Sequence, residues 1–465
     1  MTTVATNNLQ VTDQQFNYLI QQLGELVAIP SVSNPNSPDY KTEHLEKAAN
    51  FAGSNLIDLG FEVRYVRINN SVPYVIAQRM INKNLPTLTL YAHYDVQPVD
   101  REKWEGMDPF VIKERDGRLY GRGSSDDKGA IVAYFAALRV YKEANVPFPV
   151  NVKILFEGEE EYGSANMTAL LNQEAKNLSA HALIVLDGLN RDSQTGTLTS
   201  STRGIVNIKL KVNALEKPVH SGIGCLAPDP AQGLAQLIVS LKNPREIPGF
   251  MDGHQPLNPA EIDLLTKSSQ TPESYGKDIG IVPGAVLRGD PQVAIYPRVV
   301  DQPSISIVNM TCGLPDGGNS IQDSAKCTVG IRVLPGQNPD KVAEAVMKHL
   351  SLEADKNQLP IELNKPEKGG YAWKANLTGP FSQAYLKAFE ENFPQNAVMP
   401  CGGAIPMLRE FQQILPNTEI VVPGVEDNKT SAHSHLESQD IPLLRNMVNT
   451  LITFFAKAGK ITPCS

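Results

Sequence analysis

A histidine and an aspartate two residues apart follow an apolar, β-branched run in the first quarter of the sequence. Residues 87–92, TLTLYA, lead into His93-Tyr94-Asp95, and this spacing places His93 and Asp95 on one side of an extended segment. An imidazole there can bind a metal ion, and the nearby carboxylate can orient it. For this pattern alone, a polar strand end without a ligand is the alternative interpretation.

A glycine-rich segment places two aspartates directly before a predicted helix. Residues 121–129 read GRGSSDDKG, with the carboxylates at Asp126 and Asp127. A dinucleotide-binding loop would need a third glycine where Asp126 stands, and Asp126 would repel a pyrophosphate at the helix start. The pair taken alone is typical of a helix cap.

Four glutamates within five residues open the segment EGEEEYGS, residues 157–164. Like charges this close repel one another, so the segment is either a solvated acidic turn or a site where a divalent cation neutralises the charge. A glutamate left free of the cation could then act as a general base. Asp187 follows a predicted strand in the same way, although an aspartate there also fits a cap or a turn.

Two of the eight histidines lie close together in the segment SAHSHLE, residues 431–437. Carboxylates combined with imidazoles, and without thiolates, suit zinc, manganese or cobalt and do not suit an iron–sulfur or copper site. The residues alone leave His433 and His435 as alternative ligands.

The elements around these clusters alternate between strands and helices, which predicts an α/β fold with a largely buried sheet. Thr12 and Gln15 form a capping-box pattern at the start of one helix, and Gly60 stands where a second helix should end. Strands are predicted at residues 61–66, 74–78, 87–92, 151–156 and 183–186, and helices at 130–142 and 381–393. Four of the clusters fall at or just beyond core strand ends, where α/β enzymes place their sites.

The pattern changes from about Gly204. Strands predicted at 205–212, 304–308 and 327–333 enclose a helix at 231–242, and proline and glycine crowd residues 243–301. We therefore expect two domains, one discontinuous over residues 1–203 and 369–465, and an inserted α+β domain over 204–368. A chain of 465 residues is longer than one core usually supports.

Composition and charge exclude several classes of function. The net charge is -8 and the 42 Lys and Arg are scattered, so we expect no nucleic-acid partner. The start of the sequence lacks a signal-peptide pattern and no window is apolar enough to span a membrane, which predicts a soluble, unexported protein with no membrane partner. The five cysteines are widely spaced and form no CxxC pair, which favours buried or inert thiols in a reducing compartment. Nothing in the sequence places a base beside Cys401, so a cysteine nucleophile is not favoured.

Taken jointly and in this order, the five clusters resemble the cocatalytic-zinc metallopeptidase family of cytosolic non-specific dipeptidases, carnosinases, aminoacylases, acetylornithine deacetylase and succinyl-diaminopimelate desuccinylase. The similarity runs from Ile29-Pro30-Ser31 to Glu437, and YAHYDVQPVD with GRGSSDDKG is most similar to the dipeptidase and carnosinase branch. It implies a zinc-exopeptidase-like catalytic domain with a mixed, mostly parallel sheet flanked by helices, and an inserted lid and dimerisation domain.

The resemblance also implies roles for individual residues. His93 and Asp187 would bind one of two divalent metal ions, Glu161 and His433 would bind the other, and Asp126 would bridge both, with Asp127 as its capping neighbour. Zinc is the metal expected first, with manganese or cobalt as alternatives. Glu160 would be the general base that deprotonates a metal-bridging water, and Asp95 would orient His93.

Further residues match the family's inserted domain and substrate loop. His220 would stabilise the oxyanion across a homodimer, and Arg332 would pair with a substrate carboxylate. Asn319, Gly402 and Gly403 complete the expected substrate-binding set. Two departures concern Ala404, where many relatives carry serine, and Leu436, where many carry asparagine.

The function that follows is hydrolysis of the amide bond of dipeptides or small peptide-like substrates in the cytoplasm. An N-acyl amino acid deacylase with the same metal core is the alternative. A binding protein that lost catalysis is disfavoured because Glu160 and every metal position are present, and a dehydrogenase is disfavoured because the glycine fingerprint is incomplete.

Overall fold

The structure is a computed structural model that describes residues 9–313, 318–364, 369–403 and 405–462. The chain forms two compact units. The first comprises Met1–Ser200, Ala375–Met399 and Met407–Ser465, and the second comprises Ser201–Lys374 and Pro400–Pro406. Residues 201–203, 369–374 and 400–406, which the sequence prediction assigned to the catalytic domain, are thus grouped with the second unit. The assignment of catalytic and lid roles to two domains stays a prediction.

Helices occur in both units. In chain order, those of the described residues are α1 (Asp13–Val27), α2 (Thr42–Asp58), α3 (Lys128–Glu143), α4 (Met167–Leu178), α5 (Pro230–Ser240), α6 (Pro259–Ser268), α7 (Pro272–Asp278), α8 (Ile295–Asp301), α9 (Pro339–Lys356), α10 (Pro380–Asn392), α11 (Pro406–Ile414) and α12 (Ile441–Ala458). The predicted capping box of α1 is present, since Thr12 and Gln15 bond reciprocally. Gly60 follows α2 with φ +85, the left-handed conformation expected after a helix end.

Strands also occur in both units. In chain order, those of the described residues are β1 (Glu62–Val66), β2 (Tyr74–Arg79), β3 (Thr87–His93), β4 (Lys113–Arg115), β5 (Arg118–Tyr120), β6 (Asn151–Glu157), β7 (Ala182–Val185), β8 (Thr195–Thr202), β9 (Gly204–Asn213), β10 (Val219–His220), β11 (Ser304–Cys312), β12 (Ser320–Ile321), β13 (Ser324–Val333), β14 (Ile361–Asn364), β15 (Trp373–Lys374), β16 (Gln395–Pro400), β17 (Glu419–Val421) and β18 (Ser438–Asp440).

The first unit is built on a six-stranded sheet of order β1-β2-β6-β3-β7-β17. The pairings β6–β3, β3–β7 and β7–β17 are parallel, whereas β1–β2 and β2–β6 are antiparallel. The predicted α/β class with a mixed, mostly parallel sheet is therefore confirmed. Parallel pairing brings the carboxyl ends of β3, β6 and β7 to one edge, with His93 directly opposite Glu157.

Helix α3 is the central helix of the first unit and is buried on nearly all of its sides. It packs against α1, α12 and β3, which explains why its sequence is apolar all round. Its second residue must be small, because a Cβ on Gly129 would lie 2.6 Å from the carbonyl oxygen of Ser124. Close packing of this helix thus fixes where the preceding loop, with Asp126 and Asp127, lies.

The second unit contains an antiparallel sheet of order β11-β13-β9-β14. Strand β9 alternates between buried and more exposed residues, and its apolar face, with Val206, Ile208, Leu210 and Val212, packs in one core with residues of α5 and α9. One sheet face is therefore covered by helices, as the period-two pattern requires.

Two expectations from composition concern the cysteines and the absence of membrane spans. Cys225, Cys312, Cys327 and Cys401 are free thiols, of which Cys327 is buried as predicted while Cys225 and Cys312 are exposed. Cys464 lies outside the described residues. In the part of the chain that the structure describes, no helix combines the length and apolar character that a membrane span requires.

Candidate active site

The acidic and histidine clusters meet at the carboxyl edge of the central sheet in the first unit. His93 is the last residue of β3, the glutamates 159–161 follow β6, and Asp187 follows β7. The loop before α3 brings Asp126 and Asp127, and the segment before β18 brings His433. All of the predicted metal-binding residues are thus found in one region of one unit.

Asp95 holds both His93 and the backbone of the glutamate cluster. Nδ1 of the fully buried His93 ring lies 3.1 Å from the backbone carbonyl oxygen of Asp95 and 3.3 Å from its Oδ1. The backbone N–H groups of Glu160 and Glu161 donate to its carboxylate at 3.3 and 3.0 Å. Asp95 therefore orients the imidazole of His93 through its carbonyl and carboxylate oxygens, and its carboxylate fixes the turn that carries Glu160 and Glu161.

Asp126 lies between two imidazoles. Its Oδ1 is 3.1 Å from Nε2 of His93, and its Oδ2 is 3.0 Å from Nε2 of His433. The same nitrogen of His433 lies 3.0 Å from Oε2 of Glu161. One carboxylate with an imidazole at each oxygen is the arrangement expected of a ligand shared between two metal ions.

The potential ligand atoms form three groups, within each of which they lie no more than 4.8 Å apart. These groups are His93, Asp127 and Asp187; Asp126, Glu161 and His433; and Asp126, Asp187 and Glu426. The first group contains His93 and Asp187 and the second contains Glu161 and His433, in line with the predicted pairs. Asp126, predicted to bridge both metals, belongs to the second and third groups, and Asp127 takes its place in the first. His435 belongs to none of them and lies exposed beside Ser434.

Glu160 lies beside this site without belonging to any of the three groups. Burial raises its pKa to about 7, against the opposing effect of His93, and the carboxylates of Glu161 and Asp126 raise it further. A carboxylate whose pKa lies near neutrality is well matched to taking up and releasing a proton.

The charges of the site favour a bound cation. Burial raises the pKa of Asp187 well above its usual value, and the carboxylates of Asp126, Glu160 and Glu161 add to this. Hydrogen bonds to Asp126 and Glu161 raise the pKa of His433 to about 11, so the carboxylates favour a positive charge where its Nε2 lies. No arginine or lysine of the described residues forms an ion pair with these carboxylates.

One atom of the site has no partner among the described residues. Oδ1 of Asp127 is buried without a hydrogen bond, while Oδ2 accepts from the backbone N–H of His93 at 3.2 Å. A hard oxygen ligand left in this state, next to His93 and Asp187, fits a divalent cation. The donor set of imidazoles and carboxylates therefore suits the metals predicted from the sequence.

Two residues of this site were missed or misread in the sequence. Asp127 occupies the N-cap position of α3, but its side chain makes no capping hydrogen bond. Glu426 was not singled out, although its carboxylate lies near those of Asp126 and Asp187. Its place in the stretch before His433 was the one signal in the sequence. Glu426 is held at the site by hydrogen bonds that its carbonyl accepts from Asn190, a residue distant in the sequence.

The remaining predicted residues lie in the second unit. Val219–His220 pairs with Ser320–Ile321, and the carbonyl of Asn319 accepts from the N–H of Ser221 at 2.8 Å, so His220 and Asn319 are neighbours. Nδ1 of the exposed His220 accepts from the N–H of Gly222 at 3.0 Å. A neutral ring that accepts at Nδ1 carries its proton at Nε2, where it can donate.

Arg332 lies on β13 next to a second arginine. Arg203 donates to the carbonyl of Arg332 at 3.4 Å, and its backbone N–H donates to the carbonyl of Gly403 at 2.9 Å. No described residue pairs with the Arg332 guanidinium. Gly402 and Gly403 are exposed, and the departure at Ala404 lies outside the described residues.

Comparison with known sequences gives relatives along nearly the whole chain. The chain is 28% identical over 474 residues to the cysteinylglycine-S-conjugate dipeptidase of Corynebacterium striatum, covering 98% of this chain and 100% of that protein. It is 26% identical over 452 residues to the Beta-Ala-His dipeptidase of Homo sapiens, covering 92% and 88% respectively.

Comparison with solved structures and family models agrees with these relatives. An M20 family metallo-carboxypeptidase from Sulfolobus solfataricus superposes with a TM-score of 0.78 at 25% identity, covering 95% of this chain and 99% of that chain. The model of peptidase family M20/M25/M40 matches residues 89–457. The chain therefore belongs to peptidase family M20/M25/M40, as the resemblance in its sequence implied.

Proposed function

We propose that the protein is a binuclear metal-dependent dipeptidase. The single observation that carries this proposal is the position of Asp126, whose two oxygens face Nε2 of His93 and Nε2 of His433 at 3.1 and 3.0 Å. The names of the two sequence relatives, both dipeptidases, support hydrolysis of a dipeptide.

In this proposal His93 and Asp187 would hold one metal, Glu161 and His433 would hold the other, and Asp126 would be shared. Two divalent cations held there would polarise the scissile carbonyl and lower the pKa of the attacking water. Zinc is the metal we propose, because imidazole and carboxylate ligands suit it. Asp95 keeps the ring of His93 oriented through the contact at Nδ1.

Glu160 acts as the general base. Its carboxylate takes a proton from the attacking water and later delivers it to the nitrogen of the leaving amine. The pKa of about 7 allows the same group to accept and to release the proton near neutral pH.

The second unit supplies the groups that bind the substrate and the transition state. Nε2–H of His220 donates to the oxyanion formed at the attacked carbonyl, and the guanidinium of Arg332 binds the terminal carboxylate. Asn319, Gly402 and Gly403 line the same substrate region. We further propose a homodimer formed through the inserted domain and a cytoplasmic location.

A substrate panel combined with metal analysis tests this function. Purified protein loaded with Zn²⁺ should contain two metal ions per chain and hydrolyse free dipeptides such as Cys-Gly. Chelation should abolish turnover, and added Zn²⁺ should restore it. Turnover of N-acetyl amino acids with no turnover of dipeptides would replace the dipeptidase by a deacylase, and a protein that binds no metal would overturn both.

A further inference from the structure

The two halves of the metal site come from distant parts of the sequence. Asp126 lies in the loop before α3, and His433 lies in the turn before β18, 307 residues later in the numbering. Their side chains nevertheless meet at 3.0 Å. The loop and the turn must therefore be held against each other by contacts other than the ligands themselves.

The carboxylate of Glu437 makes such contacts. Its Oε1 accepts from the backbone N–H groups of Ser125 and Asp126 at 3.0 and 3.1 Å. Its Oε2 accepts from the backbone N–H of Gly123 at 3.0 Å and from Nη1 of Arg122 at 2.7 Å. The side chain is fully buried, and all four donors belong to the loop that carries Asp126.

Arg122 extends the same set of contacts to the turn that carries His433. Its Nη2 donates to the carbonyl of Ser434 at 2.7 Å. The backbone of Glu437 adds a further link, since the N–H of Gly121 donates to its carbonyl at 3.0 Å. The loop and the turn are thus joined by one buried ion pair and by main-chain hydrogen bonds on both sides.

The turn needs this support because its backbone is unusual. Ser431, His433 and Leu436 have φ values of +55, +59 and +60. Residues other than glycine keep this left-handed conformation only where their surroundings over-determine it. A turn of this kind would not by itself keep the imidazole of His433 in a fixed position.

We propose that Glu437 is a positioning residue that fixes Asp126 relative to His433 before any metal binds. This inference rests on the proposed binuclear site. Glu437 belongs to none of the three groups of potential ligands and acts through the backbone of the loop and the turn that carry Asp126 and His433. Groups that orient metal ligands in this way typically contribute about 10–100-fold to metal affinity.

The experiment measures metal affinity in Glu437→Gln. Competition with a chelator for Zn²⁺ should give an affinity about 10–100-fold weaker than in the wild-type protein. Saturation with Co²⁺ should give altered visible absorption bands, because the ligands are no longer held in one geometry. At saturating metal most of the kcat should return and KM should change little.

Glu174→Gln is the matched control. Glu174 is a buried carboxylate whose Oε2 lies 2.8 Å from Nη2 of Arg64, with 6% of its side chain exposed. Its partners are Arg64 and Asn177, both in the first unit. This variant should lose thermal stability as Glu437→Gln does, but its Zn²⁺ affinity and Co²⁺ spectrum should match those of the wild type.

A double variant separates positioning from folding. Arg122→Met with Glu437→Gln leaves no unpaired buried charge, so it should recover melting temperature relative to Glu437→Gln alone. Its Zn²⁺ affinity should stay weak. Recovery of affinity together with stability, or wild-type affinity in Glu437→Gln, would overturn the inference while leaving the proposed function intact. A wild-type protein that binds no metal would instead overturn the proposed function.

Discussion

Glu159 and Glu160 are adjacent in sequence and have different surroundings. Oε2 of Glu159 accepts from the hydroxyl of Tyr74 at 3.1 Å and from Nδ2 of Asn166 at 3.0 Å, so this carboxylate is already engaged by neutral hydrogen-bond donors. Glu160 has no such partners among the described residues, and burial raises its pKa to about 7. A run of glutamates in the sequence cannot distinguish the two, but their hydrogen bonds can.

Glu160→Gln should therefore retain both metal ions and lose turnover. The amide keeps the shape of the side chain but cannot take the proton, so kcat should fall by about 10²–10⁴-fold. Metal analysis and dipeptide kinetics measure the two effects. Glu159→Gln is the control and should keep kcat within a few-fold; the reverse outcome would assign the base to Glu159.

His433 and His435 provide a second comparison of near neighbours. Both side chains are exposed, but Nε2 of His433 lies 3.0 Å from both Asp126 and Glu161, whereas the contact of His435 is with Ser434. His433→Ala should weaken Zn²⁺ binding by more than the about 10–100-fold typical of groups that only orient a ligand. His435→Ala should bind Zn²⁺ like the wild type. Equal losses in the two variants would contradict the assignment of His433 as the ligand.

At the scale of elements, the segment after β7 that carries Asp187 packs backbone to backbone against the segment that carries Glu426. Asp187 forms a bridge with Gly424, and the two backbones are so close that a Cβ on Gly424 would lie 1.4 Å from the carbonyl oxygen of Gly188. Only glycine fits at position 424, where the two backbones are in contact. The position of Asp187 therefore depends on a residue that carries no functional group.

Gly424→Ala should lower stability and metal binding together. The clash is with backbone, which cannot move away as a flexible side chain can, so the loss should be at least about 1–3 kcal/mol. Gly24→Ala is the control, because α1 offers open space at Gly24 and alanine favours a helix by about 1 kcal/mol. Melting curves of the metal-free proteins should shift in opposite directions. A Gly424→Ala variant as stable as the wild type would contradict the close backbone contact between residues 188 and 424.

Elements with a strong local signal could be predicted from the sequence. The strand at 87–92 and the helix at 130–142 correspond to β3 and α3, within one or two residues at each end. Helices α4, α9 and α12 were not predicted, although each has a buried side. The partners of short strands such as β18 and β5 lie more than 300 residues apart, and local periodicity carries no information about such pairs.

Some residues of the candidate site could be recognised in the sequence, and others could not. The acidic clusters and His433 were recognisable because each combines an unusual composition with a strand or helix end. Glu426 and the link from Glu437 to the Asp126 loop were not, because a carboxylate is ordinary in sequence and gains its role only from backbone groups brought near by folding. The resemblance to a family added the roles, and the physical contacts came from the structure.

At the scale of the whole molecule, the second unit presents an edge that could accept another chain. Among the described strands, β11 pairs with β13 on one side only, and Val308 and Met310 on it are 63% and 65% exposed. An edge strand with exposed apolar side chains is a template for pairing. A second copy of this chain is the occupant we propose, in keeping with the homodimer proposed above.

The last prediction tests whether His220 acts across that dimer. His220→Ala should lower kcat by about 10²–10³-fold with little change in metal content, because the donor at Nε2 is needed only once the oxyanion exists. Glu160→Gln is inactive for a different reason. If each active site takes Glu160 from one chain and His220 from the other, a mixed dimer of the two variants holds one site with both intact residues.

Mixing the two inactive proteins should therefore restore part of the activity. Subunit exchange must first be verified with differently tagged chains, and sedimentation must show a dimer at the concentration of the assay. Each variant mixed with itself and treated identically provides the background. If the exchanged mixture stays as inactive as its components, His220 acts within its own chain, since complementation requires that the two residues come from different subunits.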